Sequence, residues 1–319
     1  MDLQYTSQSA TSLEKKTTSV YGKTTVASVL NLIRVKQWVK NLFLFIPSFF
    51  AGSLFNIEHV SQLLLGALAF SLVASSIYVV NDYQDRHVDR LHPKKRFRPI
   101  ASGEVTGTTA WILVGVLSSA GLVLAAWVEP SFLYLVLVYF TLNLAYSFGL
   151  KHIPIVDLFI VSSGFLLRIY SGGVIAGHDI THWLSLMILL LSLFLIVAKR
   201  RDDLLIQSKT GEVVRKASQG YNVEFINSCL TLVSAVMVVA YIMYTVSPEV
   251  TERFDSNYLF ITTIFVIAGV MRYLQITFVE KRSGSPTTVL LKDKFILFTI
   301  ASWIISFYII IYTTSGLLK

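Results

Sequence analysis

The chain has 319 residues, 54% of them hydrophobic and 14% charged, with a mean hydropathy of +0.64; a soluble domain carries about 25% charge, so the composition excludes one and implies an integral membrane protein. The net charge of +8, from 27 Lys and Arg against 19 Asp and Glu, is gathered in short polar segments between apolar runs, which reads as topology and contact with anionic lipid and gives no case for nucleic acid. The single cysteine, Cys229, lies in an apolar run and excludes a disulfide framework and a CxxC metal site.

Residues 1–27 come first. Ten Ser and Thr among the first 25 residues and no apolar stretch argue against a secretory signal and predict a disordered cytoplasmic tail. From 28 to 319 the chain reads as a single transmembrane domain. Nine apolar stretches approach the roughly 20 residues that cross a bilayer core as helix: about 38–55, 61–80, 109–128, 131–149, 155–176, 182–198, 223–246, 257–279 and 295–316. None alternates with a period of two, so the predicted fold is an all-α polytopic bundle of nine transmembrane helices. With the N-terminus inside, segments 1–40, 81–107, Lys151, 199–222 and 272–294 hold 24 of the 27 Lys and Arg, whereas the outer loops carry Glu58, Glu129, Asp179, Glu249, Glu252 and Asp255. That segregation fits nine spans with a cytoplasmic N-terminus, in a bacterial inner membrane, and eight or ten would scramble it.

Before the first span, Leu32 to Asn41 repeats Arg34, Gln37 and Asn41 at helical spacing, with Lys36 and Lys40 beside them. One reading is interfacial anchoring by Trp38 and snorkelling lysines. The other is a polar stripe that faces a cavity and meets phosphate oxygens. After the second span comes Asn81-Asp-Tyr-Gln-Asp-Arg-His-Val-Asp-Arg90. On a helix Asp82, Asp85 and Asp89 occupy i, i+3 and i+7, one face. Three like charges there repel unless a cation lies among them, and carboxylate oxygens are what Mg²⁺ carrying a substrate phosphate takes. Solvated charges paired with Arg86, His87 and Arg90 are the alternative; the third Asp in register, the preceding Asn81 and six Lys and Arg within 86–98 favour the metal. The next segment is interrupted by Pro93 and Pro99 and turned at Gly103. It is predicted to cap the carboxylates, with Lys94, Lys95, Arg96 and Arg98 clamping a second phosphate.

The fourth span ends in Tyr146-Ser-Phe-Gly-Leu-Lys151, and the fifth begins near Asp157 and carries Arg168, eleven residues and three turns further along the same face. An Arg at membrane depth faces a water-filled cavity or an acid, so both are expected toward a shared interior. The loop after the sixth span opens with Ala198-Lys-Arg-Arg-Asp-Asp-Leu204. Asp202 and Asp203 are adjacent and share no helix face, so at most one is a good metal ligand, and Lys199, Arg200 and Arg201 point to direct phosphate binding. On the outer side His178, Asp179 and His182 imitate a metal site but sit in a Gly-Asp loop at a span end, where polar residues are common, and are set aside.

These motifs in this order resemble the UbiA superfamily of intramembrane prenyltransferases over about residues 28–316. The resemblance implies a helical bundle whose central cavity opens laterally to lipid, with Asp-rich loops that bind Mg²⁺ and diphosphate. It also implies transfer of a prenyl group from its diphosphate to an aromatic or other acceptor. In that superfamily the second loop usually shows two Asp about a turn apart, and Lys199 to Asp203 departs from this. Together with Arg34 to Asn41, Arg96 to Gly103, Tyr146 to Lys151 and Asp157 to Arg168, the departure is similar to the branch that takes phosphoribosyl pyrophosphate as donor and a polyprenyl phosphate as acceptor. The expected catalytic and metal-binding residues are then Asp82, Asp85 and Asp89, with Asn81 orienting them. The expected substrate contacts are Lys36, Lys40, Asn41, Tyr146, Lys151, Arg168, Lys199 and Arg200. Few acids and many bases suit a donor with an additional phosphate. A membrane transporter is the reading from another class; transporters place their key polar groups near the bilayer midplane, and here almost all are at the cytoplasmic rim. The oligomeric state stays open.

Overall fold

The computed structural model describes residues 24–54, 56–92, 95–210, 220–280, 289 and 292–310. Among these residues all regular structure is helical. They group into two compact units: unit 1 holds those up to Leu42 and from Leu65 to Phe148, unit 2 those from Phe43 to Leu64 and from Gly149 onward.

Seven helices among the described residues are long and apolar enough to cross a membrane. They are α3 (Ile57–Leu91), α4 (Gly107–Val128), α5 (Pro130–Phe148), α6 (Val156–Ala176), α7 (His182–Thr210), α8 (Val223–Val246) and the segment Tyr258–Phe278, which joins a short 3₁₀ turn to α10 (Thr263–Phe278). Between the last two lies the short α9 (Pro248–Phe254), and α11 (Lys294–Tyr308) is apolar but shorter. The expected nine-helix count thus becomes seven long helices, one shorter, and a first element of a different kind. Helix α1 (Val26–Leu32), capped by Thr25, begins inside the expected tail, most of which lies outside the described residues.

The expected first span, 38–55, is a 3₁₀ helix over Val35–Phe45 followed by α2 (Ile46–Phe50). Its register explains the departure. In unit 1 Trp38 Nε1 donates to Ser75 Oγ at 3.1 Å and Asn41 Nδ2 to Ser71 Oγ at 2.6 Å. Three residues of 3₁₀ helix rise about 6 Å and stack i over i+3, and four residues of α-helix also rise about 6 Å. The 3₁₀ winding therefore brings the spacing of Trp38 and Asn41 close to that of Ser75 and Ser71.

Helix α3 has 35 residues, about 52 Å at 1.5 Å per residue, against ~30 Å of hydrocarbon. Its last turns, with the Asp motif, run beyond the apolar stretch. Unit 1 is held by close packing of α3 with α4 and α5. A Cβ on Gly121 would lie 2.6 Å from Val73 Cγ2 and 2.9 Å from the Ala69 carbonyl, and the Phe70 and Tyr139 rings meet at 4.5 Å. In unit 2 the core runs along α7 and α8, with α2 and α6 packed on it.

Among the described glycines of unit 2, the closest approach is between α6 and Leu44, in the 3₁₀ helix that precedes α2. A Cβ on Gly172 would fall 1.9 Å from the Leu44 carbonyl oxygen, whereas one on Gly115 meets nothing within 4 Å. Gly172→Val should therefore cost about 1–3 kcal/mol or more and lower the unfolding temperature in detergent by several degrees, while Gly115→Ala, in the interior of α4, does not lower it. Equal melting of the two variants would refute this packing.

Candidate active site

Two polar clusters, one in each unit, hold the Asp motif of α3 and Arg200. In unit 1 the carboxylates of the Asp motif stand on the last turns of α3. Asp82 and Asp89 are each only 3% exposed, so their charges need close partners. Asp82 Oδ1 accepts from Arg34 Nη2 at 2.5 Å and from Arg98 Nη1 at 3.1 Å, and the same Arg98 nitrogen donates to Asp89 Oδ2 at 2.7 Å. Asp85 Oδ2 accepts from Asn81 Nδ2 at 3.2 Å.

The segment after α3 folds back to deliver Arg98. A 3₁₀ turn over Lys95–Phe97 leads into it, Arg90 Nε holds the Ala101 carbonyl at 3.1 Å, and Gly103 at φ 84 closes the loop. Left-handed backbone is where glycine costs least. Arg96 stacks instead on Phe97 at 4.8 Å, and Lys94 lies outside the described residues. Arg34 also has a positive φ, 54°, a strained setting for a residue with a Cβ that costs on the order of 1–3 kcal/mol. Its guanidinium lies 5.0 Å from the Tyr78 ring centroid while pairing with Asp82. Arg34 and Arg98, which sequence reasoning assigned to phosphate, are thus the direct partners of the carboxylates.

Among the described residues no three His, Cys, Asp or Glu side chains converge as a metal centre. Asp82 and Asp89 nevertheless place two carboxylate oxygens around one cationic nitrogen, that of Arg98. Mg²⁺ is commonly held by one or two carboxylates with water and substrate phosphate supplying the rest, so this pair fits the ion and Asp85 stands one turn from Asp82 on the same helix. Of the other unit 1 candidates, Asn41 is buried on Ser71, Lys36 is exposed, and Lys40 and Tyr146 are half-buried.

In unit 2 Asp157, fully buried at the start of α6, is gripped by Arg200 from α7, whose Nε and Nη2 both lie 2.9 Å from Oδ2. Arg200 Nη1 reaches Asp203 Oδ2 at 3.2 Å. Tyr221 donates its hydroxyl to Asp157 Oδ1 at 2.8 Å and accepts the Ile155 N–H at 2.5 Å. Burial, and then the hydrogen bond to Asp157, pushes the Tyr221 hydroxyl up to about 12. Arg201 turns away, its Nε on Asn227 Oδ1 at 2.8 Å and its guanidinium 5.3 Å from the Phe278 ring centroid.

Arg168 is buried, but its Nη1 holds the Gly164 carbonyl at 2.7 Å, and eleven residues of helix, about 16 Å, separate it from Asp157. Asp157 pairs with Arg200, not Arg168. Lys199 is exposed and Lys151 half-buried in the 3₁₀ turn Leu150–His152. Between α6 and α7, His178 Nε2 shares a 2.5 Å hydrogen bond with Ser53 Oγ and its ring lies edge-on to His59 at 5.6 Å. Burial, then the charges of His59 and Arg253, lowers His178 from its ordinary value.

The sequence matches the UbiA prenyltransferase family over residues 42–303. The chain belongs to the UbiA prenyltransferase family. It is accordingly an integral membrane transferase. It is 34% identical over 292 residues to the decaprenyl-phosphate phosphoribosyltransferase of Mycolicibacterium smegmatis, covering 88% of this chain and 92% of that one. It is 32% identical over 287 residues to the protein of the same name from Mycobacterium tuberculosis H37Rv, with 88% and 92% covered. Among solved structures, a UbiA homologue from Archaeoglobus fulgidus bound to GPP and Mg²⁺ shares the fold, with a TM-score of 0.66 at 21% identity over 89% of this chain and 99% of that one. The same homologue bound to DMAPP and Mg²⁺ gives 0.65 at 20% identity, with 89% and 99% covered.

Arg98 is the shared partner of two buried carboxylates. Removing it in Arg98→Gln leaves like charges facing each other and should destabilise the metal-free protein by about 1–3 kcal/mol, read as a lower unfolding temperature in detergent with EDTA. An unchanged temperature would mean that this pairing is absent in solution.

Proposed function

We propose that this chain transfers the phosphoribosyl group of phosphoribosyl pyrophosphate to a polyprenyl phosphate, with Mg²⁺, at the cytoplasmic face of a bacterial inner membrane. The observation that carries the reading beyond the family is the second polar loop. Asp157 and Asp203 share Arg200 as Asp82 and Asp89 share Arg98, but Arg200 is 3% exposed and Asp157 fully buried, whereas Arg98 is 28% exposed, so among the described residues Asp82 and Asp89 are the pair open to exchange their arginine for a metal. One metal cluster with many bases suits a donor whose pyrophosphate takes the metal and whose further phosphate needs cations. The names of the relatives from Mycolicibacterium and Mycobacterium agree.

In this reading an ionised oxygen of the lipid phosphate attacks the anomeric carbon, the bond from that carbon to the pyrophosphate oxygen breaks, and pyrophosphate departs. The acceptor is already an anion, so no general base is required. Bound at Asp82, Asp85 and Asp89, Mg²⁺ would neutralise charge on the leaving pyrophosphate. Asn81 orients Asp85, and Arg34 and Arg98 move charge from the carboxylates to phosphate oxygens as the donor binds. Lys36, Lys40, Tyr146, Lys151, Arg168 and Lys199 are proposed for phosphate contacts, where positioning and fixed charge supply most of the rate. Arg200 is proposed to act mainly by holding Asp157. The charge distribution of the loops supports a cytoplasmic placement.

Membranes carrying the protein, with Mg²⁺, labelled phosphoribosyl pyrophosphate and a polyprenyl phosphate, should move label into the lipid fraction. Asp82→Ala, Asp85→Ala and Asp89→Ala should each lower turnover by about a hundredfold, a few kcal/mol of transition-state stabilisation. Near-normal turnover of all three at saturating Mg²⁺ would remove the metal assignment. Asp202→Asn and Asp203→Asn should be milder. Prenylation of an aromatic acid without labelled lipid, and near-complete loss in either of those two variants, would favour prenyl transfer through a second carboxylate site instead.

A further inference from the structure

Residues 153–157, 200 and 220–221 of unit 2 form a knot that the proposed transfer chemistry does not use directly. Ile155, a β-branched residue, stands at φ 67 and ψ −49, outside the regions such side chains adopt readily. Backbone bonds from Val156 N–H to the Pro154 carbonyl at 2.8 Å and from Leu158 N–H to the Ile155 carbonyl at 3.0 Å close the turn, and one side chain takes the N–H of Ile155 itself. The Ile155 N–H is donated to the Tyr221 hydroxyl, and that hydroxyl donates to Asp157 Oδ1, whose other oxygen is held by Arg200. Tyr221 itself is brought in by Gly220, where a Cβ would lie 2.4 Å from Pro154 Cγ, so only glycine lets the chain lie against this turn. The Tyr221 ring stacks on Phe225, centroids 6.0 Å apart and planes 7° from parallel, which fixes it from the other side.

Two of the basic residues proposed for phosphate hang on this knot. Lys151 lies in the 3₁₀ turn that leads directly into Pro154 and Ile155, and Lys199 precedes Arg200 on α7. Strained backbone persists only where surrounding contacts over-determine it, and preorganised cations contribute most to charge stabilisation when they need not reorganise.

We propose that Tyr221 is a positioning residue: by bridging the Ile155 N–H and the Asp157 carboxylate that Arg200 grips, it fixes the Lys151 turn relative to the stretch of α7 that carries Lys199, so that both ammonium groups are preset for a phosphorylated substrate. This rests on the function proposed above. The Tyr221 hydroxyl, raised to about 12, stays protonated between pH 6 and 9 and keeps donating to Asp157 throughout.

The test compares Tyr221→Phe with Gly220→Ala, which displaces the same segment without removing the hydroxyl. Binding of phosphoribosyl pyrophosphate with Mg²⁺ is measured by calorimetry on the purified full chain in detergent, next to steady-state turnover and melting. Both variants should melt within a few degrees of the parent, with Kd and KM for the donor raised about tenfold, roughly 1.4 kcal/mol, kcat within threefold, and the change equal from pH 6 to 9. A purely structural knot instead lowers the melting temperature and leaves Kd and KM of the folded protein unchanged, which would overturn the positioning role. A parent that neither binds nor turns over the donor overturns the proposed function instead. In that case inorganic pyrophosphate is the probe: tenfold weaker binding in both variants upholds the positioning role, and equal binding removes it.

Discussion

A carboxylate that leaves water must keep a cation beside it, and in this chain that requirement arranges both polar clusters. Asp82, Asp89 and Asp157 are each at most 3% exposed, where an unpaired charge would cost several kcal/mol. Arginine meets the need because its fork presents several donors at fixed angles. Arg98 serves two carboxylates through one nitrogen, and Arg200 gives two donors to Asp157 and a third to Asp203. Each pairing also fixes backbone that the hydrophobic pattern leaves undetermined. The Arg98 pairing folds the loop after α3 back on its helix, and the Arg200 pairing ties the start of α6 to α7 about three turns before its end.

The same requirement separates two kinds of arginine. Arg34 and Arg98 are each about a quarter exposed and hold their carboxylates from one side, so exchanging a carboxylate for a phosphate oxygen costs them little desolvation. Arg200 is 3% exposed and joined to a fully buried acid; breaking that pair would strand both charges. The first pair suits a site where a metal and an anionic substrate enter together, and the second suits a permanent brace. Arg200 therefore stands apart from Lys199, its exposed neighbour, though the sequence offers both as phosphate ligands.

That Asp82 and Asp89 stand on one face was legible because helical spacing alone puts i and i+7 together, and the all-α class followed from composition. The folding-back of the basic cap was legible from Pro99 and Gly103, but which of its bases reaches the acids was not, since Arg96 and Arg98 differ only in the turn that carries them. The winding of Val35–Phe45 was hidden because hydropathy counts apolar residues without regard to rise per residue; the pairing of Trp38 and Asn41 with Ser75 and Ser71 is a long-range match. Arg168 was placed by periodicity on the face of Asp157, yet the partner of Asp157 lies on another helix, at Arg200, and Tyr221 gave no signal because its role depends on the unusual backbone at Ile155.

The carboxylates of α3 are proposed to hold a divalent ion on the donor's diphosphate. Substituting Mn²⁺ for Mg²⁺ in the purified protein and recording phosphorus couplings by electron–nuclear double resonance, with phosphoribosyl pyrophosphate present, tests this directly. The account predicts protein-bound Mn²⁺ with strong phosphorus coupling that disappears in the Asp82→Asn, Asp89→Asn double variant. The same bound signal and the same coupling in that variant would contradict it.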